Sequence, residues 1–199
     1  MGKGSAFERA FSKELSLWWT EGKRDDIFWR SSNSGGRATV RAAVGKTTSG
    51  QYGDVAAIDA SGIPFLDLVT IELKKGYSKF TIQDIFDCKP YSAIQKWEEW
   101  FSQTRTSAIN AGSVSWFMVT ERDRREALVY MPTPLFHLLE KWECFTQPLF
   151  PRMRFNARLR TDTSTNIETD ISMLRWWDWK EYALPRRVSQ IEAESLLLI

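Results

Sequence analysis

The chain has 199 residues and a formal net charge of +2, and 43% of its residues are hydrophobic and 26% charged. This is the balance of an ordinary globular protein, and a net charge so close to zero does not by itself identify a partner. No apolar run approaches the roughly 20 residues of a membrane span, and the first residues lack the apolar centre of a signal peptide. We therefore expect a cytoplasmic protein.

The residue types present exclude several kinds of chemistry. Cys88 and Cys144 are the only cysteines and His137 is the only histidine, so the usual soft ligands cannot form a zinc cluster. The apolar helical pattern around His137 favours a structural role over a part in nucleophilic catalysis. The segment 45–47 (Gly-Lys-Thr) resembles the end of a P-loop, but that motif needs glycine where Val40 stands. The chemistry that these exclusions leave is that of a hard cation held by carboxylates.

Charge is unevenly distributed along the chain. No acidic residue occurs within residues 27–53 or 151–161. The basic residues of these stretches include Arg30, Arg37, Arg41 and Lys46 in the first and Arg152, Arg154, Arg158 and Arg160 in the second. Such basic stretches suit binding to a phosphate backbone. For either stretch taken alone, a solvated loop is about an equally good interpretation.

The first predicted element is an amphipathic helix over residues 5–19. Its apolar stripe comprises Phe7, Phe11, Leu15 and Trp18. Ser5 is the expected N-cap, with Glu8 three residues later in the capping-box position. Glu8 also borders the stripe. Its carboxylate therefore either completes the cap or lies at the edge of the buried face, where it could reach a cation through water.

A short strand is predicted at residues 27–30, and a small, polar loop follows it. The loop contains the pair Gly35-Gly36, which permits a close approach of the backbone to another molecule. Its neighbours are serine, asparagine and arginine. The segment therefore has the composition of a binding loop.

Two further strands are predicted at residues 55–58 and 66–73. Asp54 directly precedes the first and Glu72 lies within the second, and both are charges that a buried strand rarely tolerates. A turn between them favours a hairpin, and pairing of its strands would place Asp54 beside Glu72 near the open end.

Alternation along the second of these strands places an acid and a base side by side. Successive side chains of a strand point to opposite faces, so Glu72 and Lys74 share one face and Leu73 points into the opposite layer. Together with Asp54, the pair would form a divalent-cation site with a positioned lysine.

Downstream of residue 75 the pattern predicts helices alternating with strands. The predicted helical segments are residues 81–86, 91–109 and 134–142, and the predicted strands are residues 115–120 and 127–131. An arrangement of strands flanked by helices indicates the α/β class.

The last quarter of the chain differs in character. We expect a main domain over residues 1–150 and a C-terminal extension over residues 151–199, packed on the core or at a dimer interface. Trp176, Trp177 and Trp179 in this extension could stack on bases, pack in an interface or close over the core. Packing is the commonest fate of tryptophan and is favoured here.

Taken in order, these features resemble the PD-(D/E)XK nuclease superfamily, and within it the archaeal-type Holliday junction resolvases. The shared series is Glu8 on a first helix, Arg30 before a Ser-Gly-Gly loop, Asp54 before a strand, and Glu72-Leu73-Lys74. The match covers about residues 2 to 75, and 17 residues separate Asp54 from Glu72. Each motif alone is weak evidence for the resemblance, and their occurrence in this order is considerably stronger evidence. In one departure, Gly53 stands where the family has proline.

The resemblance implies a restriction-endonuclease-like fold, with a mixed central β-sheet flanked by helices. It implies that Mg²⁺ or Mn²⁺ is held by Asp54, Glu72 and the Leu73 carbonyl, helped by Glu8 through water. Lys74 would orient the attacking water or help to deprotonate it. Ser34 would lie in a loop near the scissile phosphate.

The same resemblance implies a DNA substrate. Arg30 and Arg37 would contact the DNA backbone, and the acid-free stretch adds Arg41 and Lys46 as DNA-binding candidates. Lys75 faces away from Lys74 and is expected to bind DNA or solvent. The resolvases act as homodimers on branched DNA, in recombination and repair, and we expect the same here.

Other functions are compatible with the same sequence. The protein could be a nuclease that acts on DNA ends or at a specific sequence. It could be a catalytically silent nuclease-fold protein that binds DNA. In a third reading, Glu72 and Lys74 are only a surface pair on the edge strand of a structural α/β domain.

Overall fold

The computed structural model describes residues 3–31, 52–77, 79–89, 92–161 and 165–191. Its strands are β1 (Phe28–Arg30), β2 (Val55–Ala57), β3 (Val69–Lys75), β4 (Ser115–Glu121), β5 (Leu128–Pro132), β6 (Met153–Arg160) and β7 (Asn166–Arg175). Its α-helices are α1 (Lys3–Trp19), α2 (Ile63–Leu68), α3 (Lys96–Ala111), α4 (Thr133–Lys141), α5 (Trp176–Tyr182) and α6 (Pro185–Val188). Two short 3₁₀ helices, Ala60–Gly62 and Ile82–Ile85, complete the described elements.

The architecture is a mixed five-stranded sheet with strand order β3-β4-β5-β7-β6. Strands β3 and β4 pair in parallel, and the other neighbours pair antiparallel. The parallel connection runs through α3, because parallel neighbours need a crossover and cannot be joined by a tight turn. This mixed α/β arrangement is consistent with the restriction-endonuclease-like fold and confirms the predicted fold class.

The two faces of the sheet carry separate cores, so the strands are buried on both sides. On one face the core includes residues of α1, α2, α4 and α5, among them Leu15, Phe65, Leu139 and Trp179. On the other face α3 packs through Trp97, Trp100, Phe101 and Ala108. Ile71 and Leu73 belong to the first core. The alternation of β3 therefore turns Glu72 toward the α3 face.

The hairpin predicted for the segment around Asp54 is wrong. Strand β2 pairs with β1 in a separate two-stranded antiparallel sheet. Residues 66–68, predicted as strand, lie in α2. Pro64 provides the reason, since it occupies the first turn of α2, where its missing N–H costs nothing and its fixed φ favours the helix.

Two predicted helix starts also differ from the structure. Helix α1 begins at Lys3, so Ser5 lies inside the helix and is not its N-cap. Helix α3 begins at Lys96, where Gln95 and Glu98 form a capping box, and not at residue 91. The capping box is thus the real start signal for α3, and the helix begins five residues downstream of the expected start.

The segment after residue 150 contributes strands to the main sheet. Strand β7 pairs with β5 along residues 128–132, and β6 forms the sheet edge beyond it. Trp176 and Trp179 are buried in the core, as packing predicts, whereas Trp177 is 45% exposed.

An ion pair fixes α3 against this edge. The Glu98 carboxylate, which is buried, accepts from Arg158 Nη2 at 2.9 Å and from Arg158 Nε at 3.0 Å. Burial opposes ionisation of Glu98, but the hydrogen bonds from Arg158 and from the Gln95 N–H outweigh it and lower the pKa of Glu98. Within the ranges that the structure describes, no helix is both long and apolar enough to cross a membrane.

Candidate active site

Asp54 is fixed against β3 by backbone hydrogen bonds. Its N–H donates to the Ile71 carbonyl at 2.8 Å, and its own carbonyl accepts from the Ser31 N–H at 2.9 Å. Its side chain then reaches further along the strand, where Oδ2 accepts from the Leu73 N–H at 2.8 Å. The expected proximity of Asp54 to the Glu72-Leu73-Lys74 segment is therefore present, although it does not arise from a hairpin.

Gly53 makes this approach possible. Its φ is +77°, in the left-handed region that side chains rarely adopt, and a Cβ at this position would lie 2.6 Å from the Ile71 carbonyl oxygen. Proline cannot take this conformation, because its ring fixes φ near −65°. The glycine that departs from the family's proline is thus required by the local backbone.

Glu72 and Lys74 share one face of β3, as alternation predicts. Lys74 Nζ donates to Glu72 Oε2 at 3.1 Å, and the side chains are 11% and 7% exposed for Lys74 and Glu72, respectively. In parallel register Glu72 lies beside Met118 of β4, and its carboxylate faces α3, which covers this edge strand of the sheet. Such burial argues against a surface ion pair, since charged groups are rarely buried without a partner.

Helix α3 supplies two contacts that sequence reasoning missed. Ser107 Oγ donates to Glu72 Oε1 at 3.0 Å, and Lys74 Nζ donates to Gln103 Oε1 at 3.2 Å. Gln103 and Ser107 are four residues apart and so lie on one side of the helix. That spacing was visible in the sequence, but nothing there indicated that this side of α3 covers β3.

The electrostatics of Asp54 are unusual for an aspartate. Burial, reinforced by repulsion from the Glu72 carboxylate, raises the pKa of Asp54 to about 7. The Leu73 N–H and the Lys74 ammonium oppose this rise, and Glu8 adds to it. Two carboxylates that resist simultaneous ionisation are typical of a site that gains from an added positive charge.

Glu8 and Arg30 form a pair at the border of this cluster. Arg30 Nε lies 3.0 Å from Glu8 Oε2, and the Glu8 side chain is 15% exposed. Glu8 is inside α1 and not at its cap, and its influence on the pKa of Asp54 places it within electrostatic reach of the site.

Lys75 points away from this cluster. Its Nζ donates to Glu121 Oε1 at 2.7 Å and lies 5.3 Å from the centroid of the Phe7 ring. The charge of Lys75 is therefore matched by Glu121 on the neighbouring strand. Its expected contact with DNA stays a prediction.

Four of the expected site residues lie outside the residues that the structure describes. They are Ser34, Arg37, Arg41 and Lys46. Their roles near the scissile phosphate and on the DNA backbone stay predictions.

The donors around Asp54 fit a hard divalent cation. Among the described residues no three His, Cys, Asp or Glu side chains are gathered into one metal-holding group. Mg²⁺ does not need such a group, because it keeps several waters and is commonly bound through one or two carboxylates. Asp54 and Glu72, with the raised pKa of Asp54 as the mark of their mutual repulsion, supply that set.

Comparison with known proteins agrees with this geometry. Residues 1–183 match the model of a family described as "Phage putative PDDEXK endonuclease". No curated protein and no solved structure matches the chain. The match covers far more than the segment on which the resemblance to resolvases rests, and it includes the strands after residue 150. The chain belongs to this phage PDDEXK endonuclease family.

Proposed function

We propose that the protein is a metal-dependent DNA endonuclease that hydrolyses phosphodiester bonds, with Asp54, Glu72 and Lys74 as its catalytic centre. The observation that carries this proposal is that two carboxylates, the buried Glu72 and the half-buried Asp54, meet the half-buried Lys74 ammonium at one point of β3. Asp54 is anchored there on the Leu73 N–H at 2.8 Å. A structural strand would not gain from collecting these charges, since each is costly to bury. A nuclease site needs all three.

Asp54, Glu72 and the Leu73 carbonyl would hold the metal ion, with Glu8 acting through water. When bound, Mg²⁺ or Mn²⁺ supplies neutralisation of phosphate charge and a water of lowered pKa, so that histidine is not needed. Asp54 must be ionised to serve as a ligand. A divalent charge beside it stabilises the carboxylate form and so reverses the effect of burial on its pKa.

Lys74 is the residue that would face the reacting phosphate. Its ammonium is held by Glu72 at 3.1 Å and Gln103 at 3.2 Å, so its position is set before substrate arrives. An ammonium held by these two acceptors is placed for electrostatic stabilisation of the developing charge, a role we favour over proton abstraction. Lys74 therefore orients the attacking water and stabilises the transition state.

The DNA backbone would be bound by the basic residues that precede Asp54. Arg30 borders the site with its side chain 32% exposed, and Arg37, Arg41 and Lys46 follow it in the acid-free stretch. Each such contact neutralises a phosphate and makes binding dependent on salt. Ser34 belongs to the same stretch and would lie near the scissile phosphate.

The substrate we propose is branched or otherwise structured DNA, cut by a homodimer. This part rests on the likeness of residues 2 to 75 to the resolvases. A four-way junction has two strands to be cut symmetrically, so a two-fold enzyme matches it.

The test is cleavage of three labelled substrates of matched sequence: a four-way junction, a linear duplex and a single strand. With Mg²⁺ we expect cleavage of the junction at a rate at least tenfold above that of the duplex, and no cleavage in EDTA. Glu72→Gln serves as the control because it preserves the side-chain shape. Equal rates on junction and duplex would contradict the substrate, and equal cleavage by Glu72→Gln would contradict the site.

A further inference from the structure

A cavity of about 320 Å³ lies beside the candidate active site, between β3, the 3₁₀ helix Ile82–Ile85 and α3. Five aromatic side chains form part of its wall: Tyr77, Phe80, Trp97, Trp100 and Tyr130. Lys74 also lines it. The cavity and the proposed catalytic centre therefore share one side chain.

The aromatic rings form a connected set with exposed members. The Tyr77 and Trp100 ring centroids are 4.7 Å apart, and the Phe80 ring meets Trp100 edge-on at 6.0 Å. Trp100 is buried, whereas Tyr77 is 46% and Phe80 38% exposed. Exposed aromatic faces around a concave space are the usual platform for stacking a planar ring.

The charges around the cavity suit a ligand with an attached phosphate. Its cations are the exposed Arg122 and Lys74, of which Lys74 is paired with Glu72. The carboxylate of Glu121, which also lines it, is paired with Lys75. A planar apolar ring would thus enter the aromatic part while its phosphate stays near the Arg122 guanidinium and the Lys74 ammonium. This is the shape of a nucleotide.

We propose that this cavity receives the base of an unpaired nucleotide adjacent to the scissile phosphate. The inference rests on the proposed nuclease function and adds a reason for its preference for structured DNA. A base within a duplex is stacked and paired and must be extruded at a cost, whereas an unpaired base enters freely. Recognition would be tolerant of sequence, since every base has a π-face.

The experiment measures binding with 2-aminopurine, whose fluorescence reports unstacking and stacking of a single base. One duplex carries it as a single-nucleotide bulge, and a matched duplex carries it fully paired. Binding is measured in EDTA so that no strand is cut. We expect the fluorescence of the bulged base to change on binding and the bulged DNA to bind about tenfold tighter than the paired duplex.

The variant Tyr77→Ala/Phe80→Ala should lose this preference, because it removes the exposed rings and leaves the buried ones. Phe86→Ala is the matched control, since Phe86 is 53% exposed and packs on Phe155 outside the set that lines the cavity. Tyr77→Phe should bind as the unchanged protein does. Cleavage of both duplexes in Mg²⁺ by Phe86→Ala should equal that of the unchanged protein.

Failure of the inference can be told from failure of the nuclease function. If Mg²⁺-dependent cleavage is present but the bulged and paired duplexes bind equally, or the double variant keeps the full preference, the cavity does not receive a base. If neither DNA is bound or cut, the inference and the proposed function are both wrong.

Discussion

At the scale of single residues, the site depends on how closely two backbone segments approach. Asp54 reaches the Leu73 N–H only because Gly53 takes a φ of +77° next to the Ile71 carbonyl. A single Cβ at Gly53 would push the Asp54 segment away from β3.

We predict that Gly53→Ala lowers the free energy of unfolding by on the order of 2 kcal/mol or more, because it adds a steric clash to backbone strain. The same change should also weaken any cleavage activity. Gly22→Ala is the control: Gly22 has a φ of +83° but open space around it, so about 1 kcal/mol is expected. Urea unfolding of both variants measures the two losses in the free energy of unfolding. Equal losses would contradict the close approach of Gly53 to the Ile71 carbonyl.

A second residue-scale prediction concerns pH. Burial and the Glu72 carboxylate raise the pKa of Asp54 to about 7, well above its ordinary value. The folded state binds the Asp54 proton more tightly than the unfolded state, whose aspartate has a pKa of about 4. The resulting contribution to the free energy of unfolding is fully present below a pH of about 4 and is lost as the pH rises through about 7. In EDTA the melting temperature should therefore fall between pH 5 and pH 8. Asp54→Asn should flatten this dependence, and an unchanged slope would contradict the assignment.

At the scale of elements, helix α3 links the site to the far edge of the sheet. Its Glu98 is paired with Arg158 of β6, and its Ser107 holds Glu72 of β3. Packing of the helix between these contacts sets the orientation of Glu72. We therefore propose that Ser107 and Gln103 act as positioning residues.

We predict that Ser107→Ala raises the Mg²⁺ concentration needed for half-maximal cleavage by about tenfold, as loss of a residue behind a metal ligand commonly does. Ser102→Ala is the control on the same helix, because its hydroxyl donates to the Glu98 carbonyl and accepts from the Arg160 N–H of β6, and makes neither contact with the site. A Mg²⁺ titration of cleavage by each variant makes the comparison. Identical titration curves for Ser107→Ala and the unchanged protein would show that Ser107 does not position Glu72.

Local sequence pattern predicts some of the strands and not their partners. Strand β3 is identified by its β-branched and apolar run, and alternation alone puts Glu72 and Lys74 on one face. The partner of β2 is set by long-range pairing with β1, which no local pattern reports. Strand β6 buries Phe155, Ala157 and Leu159 in strict alternation, but its arginines suggested a basic extension. A period-2 count would have identified that strand.

At the scale of the whole molecule, the last strands complete the sheet. Strand β7 lies between β5 and β6, so the sheet that supports Glu72 continues into the segment after residue 150. The core residues contributed by this segment include Leu159, Ile171, Leu174, Trp176 and Trp179. The position of the site near the start of the chain thus depends on packing near its end.

We predict that residues 1–150 alone do not fold. Burial of each large apolar side chain contributes roughly 2 kcal/mol to stability. Loss of the five named above would therefore remove roughly 10 kcal/mol, which is comparable to the about 5–15 kcal/mol free energy of unfolding of a typical domain. A fragment of residues 1–191, which keeps every described element, is the control. Circular dichroism with urea should show a cooperative transition only for the control. A cooperative transition in residues 1–150 would identify an independent domain.

We propose that Asp54, Glu72 and Lys74 form a metal-dependent hydrolytic site. Single-turnover cleavage of one labelled four-way junction in Mg²⁺ tests this with the unchanged protein and with Asp54→Asn, Glu72→Gln and Lys74→Ala. We expect the unchanged protein to cleave the junction and each variant to be slower by at least about a hundredfold while remaining folded by circular dichroism. Cleavage that survives all three substitutions would contradict it.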